Sequence, residues 1–131
     1  MKKISIVLFV LSLFALSCDI VESRALHVTN ESKDEIFAFI TKKEIKAMIK
    51  SDIDNGVTIK TNAENILTPG KPAWEKYIKK CKDDKLRVYI ISTDSLHKHG
   101  WDNLFKKEIY LKKYYFTMDD LEEINFHITY K

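Results

Sequence analysis

The chain is poor in the residues that shape loops. Glycine occurs only at positions 56, 70 and 100, and proline only at 69 and 72. A glycine-rich phosphate cradle is therefore excluded, as are collagen-like and low-complexity readings. Two cysteines in 131 residues are too few for a disulfide scaffold or a cysteine-based zinc site. An excess of one charge is small too: 22 Lys and Arg face 19 Asp and Glu. No apolar run is long enough for a stable membrane span. Ile4 to Leu16 is thirteen residues, interrupted by Ser5 and Ser12. At ~1.5 Å per residue it is about 20 Å long, against a hydrocarbon core of about 30 Å. What is present is apolar content of 45%, too high for a disordered chain, in a length that suits one domain.

The apolar run follows Met1-Lys2-Lys3 and ends in Ala15-Leu16-Ser17-Cys18. A short positive start, an apolar stretch and small residues before a cysteine make a signal peptide. The segment resembles the lipobox of bacterial lipoproteins, with Ala15 where leucine is more usual. That resemblance implies cleavage before Cys18, diacylglycerol on its thiol and acylation of its new amino group. The expected organisation is a signal peptide over 1–17, the lipidated cysteine and a short tether over 18–24, and one domain over 25–131. More than one acyl chain gives stable anchoring, each buried methylene contributing about 0.8 kcal/mol. Removing Lys2 and Lys3 leaves 20 basic against 19 acidic side chains. The basic excess that invites a nucleic-acid partner then all but disappears, and no nucleic acid is expected. Lipidation of Cys18 leaves Cys81 as the remaining thiol, on the apolar side of an expected helix, where a buried and inert state is expected. Asp19 resembles an inner-membrane retention signal of enteric-type bacteria, a rule other lineages do not share. A periplasm-facing anchor is expected, with the choice of membrane open.

Leu26 and Val28 alternate with His27 and Thr29, as in a half-buried strand. A polar turn at 30–34 leads to Ile36–Ile40, apolar on both faces like a central strand covered on both sides. These two strands are expected to form a hairpin. Ile45, Met48, Ile49 and Ile53 have helical spacing, and Asp54-Asn55-Gly56 is expected to end that segment in a turn. Short strands are expected at Val57–Lys60 and Asn65–Thr68, and a helix at Ala73–Lys80 after Pro72. Leu86, Val88 and Ile90 alternate with Arg87, Tyr89 and Ile91 in the clearest strand. Thr93 or Asp94 should cap a short helix that Gly100 ends. Trp101–Lys107 offers another helical turn, and Ile109–Phe116 a strand. Thr117 should cap a helix through Glu123, and Phe126, Ile128 and Tyr130 mark a final strand. The fold class expected is mainly β (α+β): a small antiparallel sheet or sandwich-like domain with short helices. Parallel pairing is not expected, because few connections are long enough for crossovers.

The order of short motifs in the C-terminal third is distinctive. Leu86-Arg87-Val88-Tyr89-Ile90-Ile91 is followed by Asp94-Ser95-Leu96, Trp101-Asp102, Tyr114, Phe116-Thr117, Asp120-Leu121 and Asn125-Phe126-His127-Ile128-Thr129-Tyr130. With the lipobox and Val28-Thr29-Asn30-Glu31-Ser32, this resembles a group of small lipoproteins from Gram-negative anaerobes of gut and mouth type. The resemblance covers about two-thirds of the expected mature chain. Lys131 stands where a proline often follows the final tyrosine, and residues 42–62 match poorly. The resemblance implies a secreted, lipid-anchored β domain and assigns no activity or site residues.

Candidate chemistry is sparse. His97-Lys98-His99 with Asp94 and Asp102 offers nitrogen and oxygen donors, but adjacent ring directions diverge and no second motif completes a zinc set. His27 and His127 fall on strands that only pairing would bring together. Residues 51–56 superficially resemble a calcium loop, yet Ile53 stands where an oxygen ligand belongs and Asn62 where a bidentate glutamate normally does. Asp119, Asp120, Glu122 and Glu123 crowd a helix start, where the dipole favours acids, instead of facing each other across a cleft. Ser92 to Ser95 lacks a nucleophile elbow and suits capping. Lys42–Lys50 is a basic amphipathic stretch that either lies on anionic headgroups or packs Ile45, Met48 and Ile49 on the sheet. No catalytic, cofactor-binding or metal-ligating residue is assigned. The expected function is a non-enzymatic lipid-anchored envelope module, held to a membrane through acyl chains on Cys18. It is expected either to bind an envelope protein, peptide or glycan or to serve as a structural support. An inhibitor or immunity-type envelope protein is the alternative, and a wall- or glycan-acting enzyme the third reading.

Overall fold

The structure is a computed structural model that describes residues 24–45 and 54–131. The expected signal segment, Cys18 and the tether before Arg24 lie outside the described residues, as do 46–53. The described elements run β1 (Leu26–Asn30), β2 (Ile36–Thr41), β3 (Asp54–Ile59), β4 (Ala63–Leu67), α1 (Trp74–Lys79), β5 (Leu86–Ser92), α2 (Thr93–Lys106), β6 (Lys112–Phe116), α3 (Met118–Glu123) and β7 (His127–Tyr130). They form a small, mainly β domain of two sheets, ordered β4-β1-β7 and β3-β2-β5-β6. No helix among the described residues is long and apolar enough to cross a membrane.

The alternation of side chains along each strand explains the layering. Leu26, Val28, Leu67 and Ile128 of the smaller sheet share one core with Ile36, Ala38, Ile40, Ile59, Leu86, Val88 and Ile90 of the larger. The two sheets therefore pack as a sandwich. Trp74, Tyr77, Ile78 and Cys81 from α1 and its exit, with Leu121 of α3, join the same core. The opposite face of the larger sheet carries a second, aromatic core. There Phe39, Tyr89 and Ile91 are covered by Leu104 and Phe105 of α2. Phe39 stacks on Tyr89 with centroids 5.2 Å apart, and Phe105 meets both rings edge-on. The run Ile36–Ile40 is thus covered on both sides, as its composition requires.

The pairing departs from expectation in two places. β1 and β2 do not form a hairpin; residues 31–35 carry the chain from one sheet to the other. β1 instead lies between β4, antiparallel, and β7, parallel. The crossover argument against parallel pairs concerns strands that are neighbours in sequence. Here nearly the whole domain intervenes between the two partners, so no short connection constrains their direction.

Turn chemistry accounts for the other differences. Asp54-Asn55-Gly56 opens β3 instead of ending in a turn. A Cβ on Gly56 would stand 2.3 Å from Cζ of Phe37, so the bare backbone makes room for that ring across the ladder. Ser92, not Thr93 or Asp94, caps α2, accepting from the Ser95 N–H at 3.3 Å. Gly100 (φ 71°) kinks this helix, which then continues through Trp101 to Lys106. Thr117 and Asp120 form the expected capping box. Both α2 and α3 end in a Schellman motif. Ile109 N–H donates to Leu104 C=O and Phe126 N–H to Leu121 C=O, each at 2.8 Å. With glycine scarce, Glu108 and Asn125 take the left-handed positions at φ 52°. The strand expected from Ile109 therefore begins only at Lys112.

Gly56→Ala should lower stability by about 1–3 kcal/mol through overpacking. In a urea-denaturation cycle with Phe37→Ala, the double change should cost less than the sum of the singles. Glu108→Gly should raise stability by about 0.5–1 kcal/mol by relieving a left-handed non-glycine residue, read as a higher urea midpoint.

Candidate functional site

α2 covers only part of the outer face of the larger sheet. From the edge of that helix outward, strand alternation places Tyr89, the last ring the helix covers, and Arg87 of β5 beside Lys113 and Tyr115 of β6. The antiparallel register sets Arg87 opposite Tyr115 and Tyr89 opposite Lys113. The result is a checkerboard of two cations and two phenols.

The carboxylate of Glu44 lies over it. Oε1 accepts from the Tyr115 hydroxyl at 2.8 Å and from Arg87 Nε at 3.5 Å. Oε2 accepts from Lys113 Nζ at 3.1 Å and from the Tyr89 hydroxyl at 3.1 Å. Arg87 is only 4% exposed at its side chain. It is held from behind by the carbonyls of Lys82 and Lys85, with the Asp83 carboxylate 3.6 Å away. Lys113 Nζ also sits 5.3–5.8 Å from the ring centres of Tyr89, Tyr110 and Tyr115.

These contacts set the charge states. Burial raises the Glu44 carboxyl, but the hydrogen bonds from Tyr115, Lys113 and Tyr89 and the Lys113 charge outweigh it, holding the group at about 2. Burial, with the neighbouring Glu44 charge, pushes the Tyr89 phenol up to about 12. Burial pulls Lys113 down, but its bonds with Tyr115 and Glu44 carry it above the usual lysine value.

Beside the checkerboard opens a cavity of about 340 Å³. Ile45, Phe105 and Tyr110 supply its apolar lining, while Glu44, Lys106 and Lys107 bring charge to it. Glu44 belongs to both features, and Tyr110 connects them by meeting Tyr89 edge-on at 5.4 Å.

A second polar group decorates the outer face of the smaller sheet. The β1–β7 register brings His27 opposite His127, ring centres 6.1 Å apart. Glu64 lies 2.7 Å from His27 Nδ1 and 3.6 Å from His127 Nε2. Thr29 Oγ1 stands between, 3.1 Å from Glu64 and 2.8 Å from His127. Hydrogen bonds with His27 and Thr29 lower the Glu64 carboxyl. Even so, no group of three His, Cys, Asp or Glu side chains among the described residues is placed to hold a metal ion.

The other residues singled out in the sequence have local roles. Asp120 caps α3, and Ser92 caps α2. Glu122 lies 3.8 Å from Arg24. His97 and His99 sit on the first part of α2, before the Gly100 kink. Cys81 is buried, its thiol donating to the Tyr77 carbonyl at 3.4 Å. Cys18 and the calcium-like residues 51–53 lie outside the described residues. Of the basic stretch Lys42–Lys50, the described part Lys42–Ile45 is not helical, and Ile45 is buried in the aromatic core. Glu44, its single acid, is the residue that sequence reasoning missed. The available signal was the alternation Arg87-x-Tyr89 and Lys113-x-Tyr115, which becomes a site only once the register is known. No protein-family model, curated protein or solved structure matches the chain.

The depressed Glu44 carboxyl stabilises the fold wherever it is ionised in the native state and held below its ordinary value of 4.5. That contribution is complete above the unfolded range and lost as pH falls towards 2. Wild type should exceed Glu44→Gln by about 1–2 kcal/mol at pH 7, after allowance for solvent screening at a third-exposed group. The gap should close between pH 5 and 2, as measured by urea unfolding at a series of pH values.

Proposed function

We propose that the protein is a lipid-anchored module of a bacterial envelope that works by binding and not by catalysis. Cys18 is the acylated residue, and the β5–β6 face is the contact surface. The observation that carries this reading is the set of four donors fixed on one strand pair beside a cavity. Hydrogen-bond donors held on a rigid ladder need little ordering when an anion arrives, which favours recognition.

The charge states support binding over proton transfer. A general acid or base works best with a pKa near the working pH. Glu44 near 2, Tyr89 near 12 and a raised Lys113 all lie far from neutrality. The sequence Leu16-Ser17-Cys18 supports the anchor. Seven residues, Asp19 to Ala25, separate Cys18 from β1, which keeps the domain close to the bilayer, facing the periplasm. An envelope protein, peptide or glycan is the class of partner within reach.

Metabolic labelling with a palmitate analogue tests the anchor. Wild type should carry label and sediment with membranes, whereas Cys18→Ala should lose both properties. Absence of label in wild type, or equal label in both proteins, overturns the anchor.

A further inference from the structure

The strands carry the side chains of the checkerboard independently of the carboxylate that occupies it. Arg87 and Tyr89 come from a strand hydrogen-bonded on both sides, and Lys113 and Tyr115 from its neighbour. Arg87 is oriented by the carbonyls of Lys82 and Lys85, and Tyr89 by its stacking on Phe39. Glu44 arrives from a different kind of structure. It lies beyond the end of β2 at Thr41, in an irregular segment outside both ladders. Its side chain is 32% exposed, so it is not enclosed by the fold. The donors stand on paired strands, and the occupant is a single side chain from outside them.

We propose that the checkerboard is a ligand site for a carboxylate joined to an apolar body, closed in the free protein by the Glu44 side chain. Two features define that ligand class. Arg87, Lys113, Tyr89 and Tyr115 present charged and phenolic donors to two oxygens, which is the complement of a carboxylate. The adjoining cavity, which shares Glu44 and reaches the checkerboard through the contact of Tyr110 with Tyr89, offers Ile45 and Phe105 to an apolar group of side-chain size. A ligand carboxylate takes the place of the Glu44 carboxylate, its apolar body enters the cavity, and Glu44 rotates into water. The free protein pays for this exchange with weak affinity, because the tethered Glu44 competes at high effective concentration.

The inference rests on the reading of this face as the binding surface; it stands or falls separately from the anchor, which labelling of Cys18 decides. The test is titration calorimetry on the full chain as the cell processes it, purified in detergent, so that it applies whether or not Cys18 carries lipid. The probe is 3-phenylpropionate, with 3-phenylpropionamide as the uncharged match. Glu44→Ala should bind the acid at least tenfold more tightly than wild type, and neither protein should bind the amide measurably. Adding Lys113→Ala to Glu44→Ala should abolish that gain. Acetyl-Gly-Gly-Phe with a free C-terminus distinguishes the sources. Tighter binding than 3-phenylpropionate assigns the site to a peptide C-terminus, and weaker binding assigns it to a small organic acid. A folded Glu44→Ala that binds no acid, or binds acid and amide alike, overturns the proposal. If Glu44→Ala does not fold, Glu44→Gln takes its place under the same criteria. Failure of both to fold also overturns it, because Glu44 would then be a structural member and not a displaceable occupant.

Discussion

The larger sheet depends on one requirement: the β2–β5 ladder must be covered on both faces. One face meets the smaller sheet, a match of two apolar surfaces. The other meets α2, which reaches Phe39, Tyr89 and Ile91 but leaves the end of the ladder near Thr41 and Arg87 to other groups. Polar side chains close that end. A nearly buried guanidinium is costly unless its charge and its N–H groups are all answered. Around Arg87 two carbonyls and the Glu44 carboxylate accept hydrogen bonds, and the Asp83 carboxylate 3.6 Å away adds opposite charge. The polar site is therefore continuous with the folding problem of the sheet, at the point where apolar cover ends.

The same economy appears in the connections. Six described non-glycine residues hold positive φ, among them Asn62, Asp83, Glu108 and Asn125. Short polar side chains tolerate that region better than most, and two helix ends supply backbone hydrogen bonds that offset the strain. The chain thus makes sharp reversals without spending glycine on them.

This explains what the sequence revealed and what it concealed. Periodicity located β1, β2, β5, β7 and α1 closely, because their buried faces repeat every two or about three and a half residues. The capping box at Thr117 was visible for a similar reason: it is local chemistry. Gly56 misled, since its role is to admit Phe37 from another strand and not to turn the chain. The β1–β7 pair was hidden because it joins segments about a hundred residues apart, and no spacing rule reaches that far. The checkerboard stayed hidden likewise. Its four side chains lie on two strands with ordinary alternation, and Glu44 looked like the exception in a lysine-rich stretch. A strand's face is readable from one segment, but its neighbours are not.

The position of β1 has a mechanical consequence. It is the middle strand of its sheet, gripped by β4 along one side and β7 along the other. A pull on the chain ahead of Leu26 runs along the strand axis, while the ladder hydrogen bonds lie across it. The load falls on both ladders at once, in shear, instead of unzipping them one bond at a time. A domain drawn away from whatever holds its leading end would resist through a strand supported on both sides.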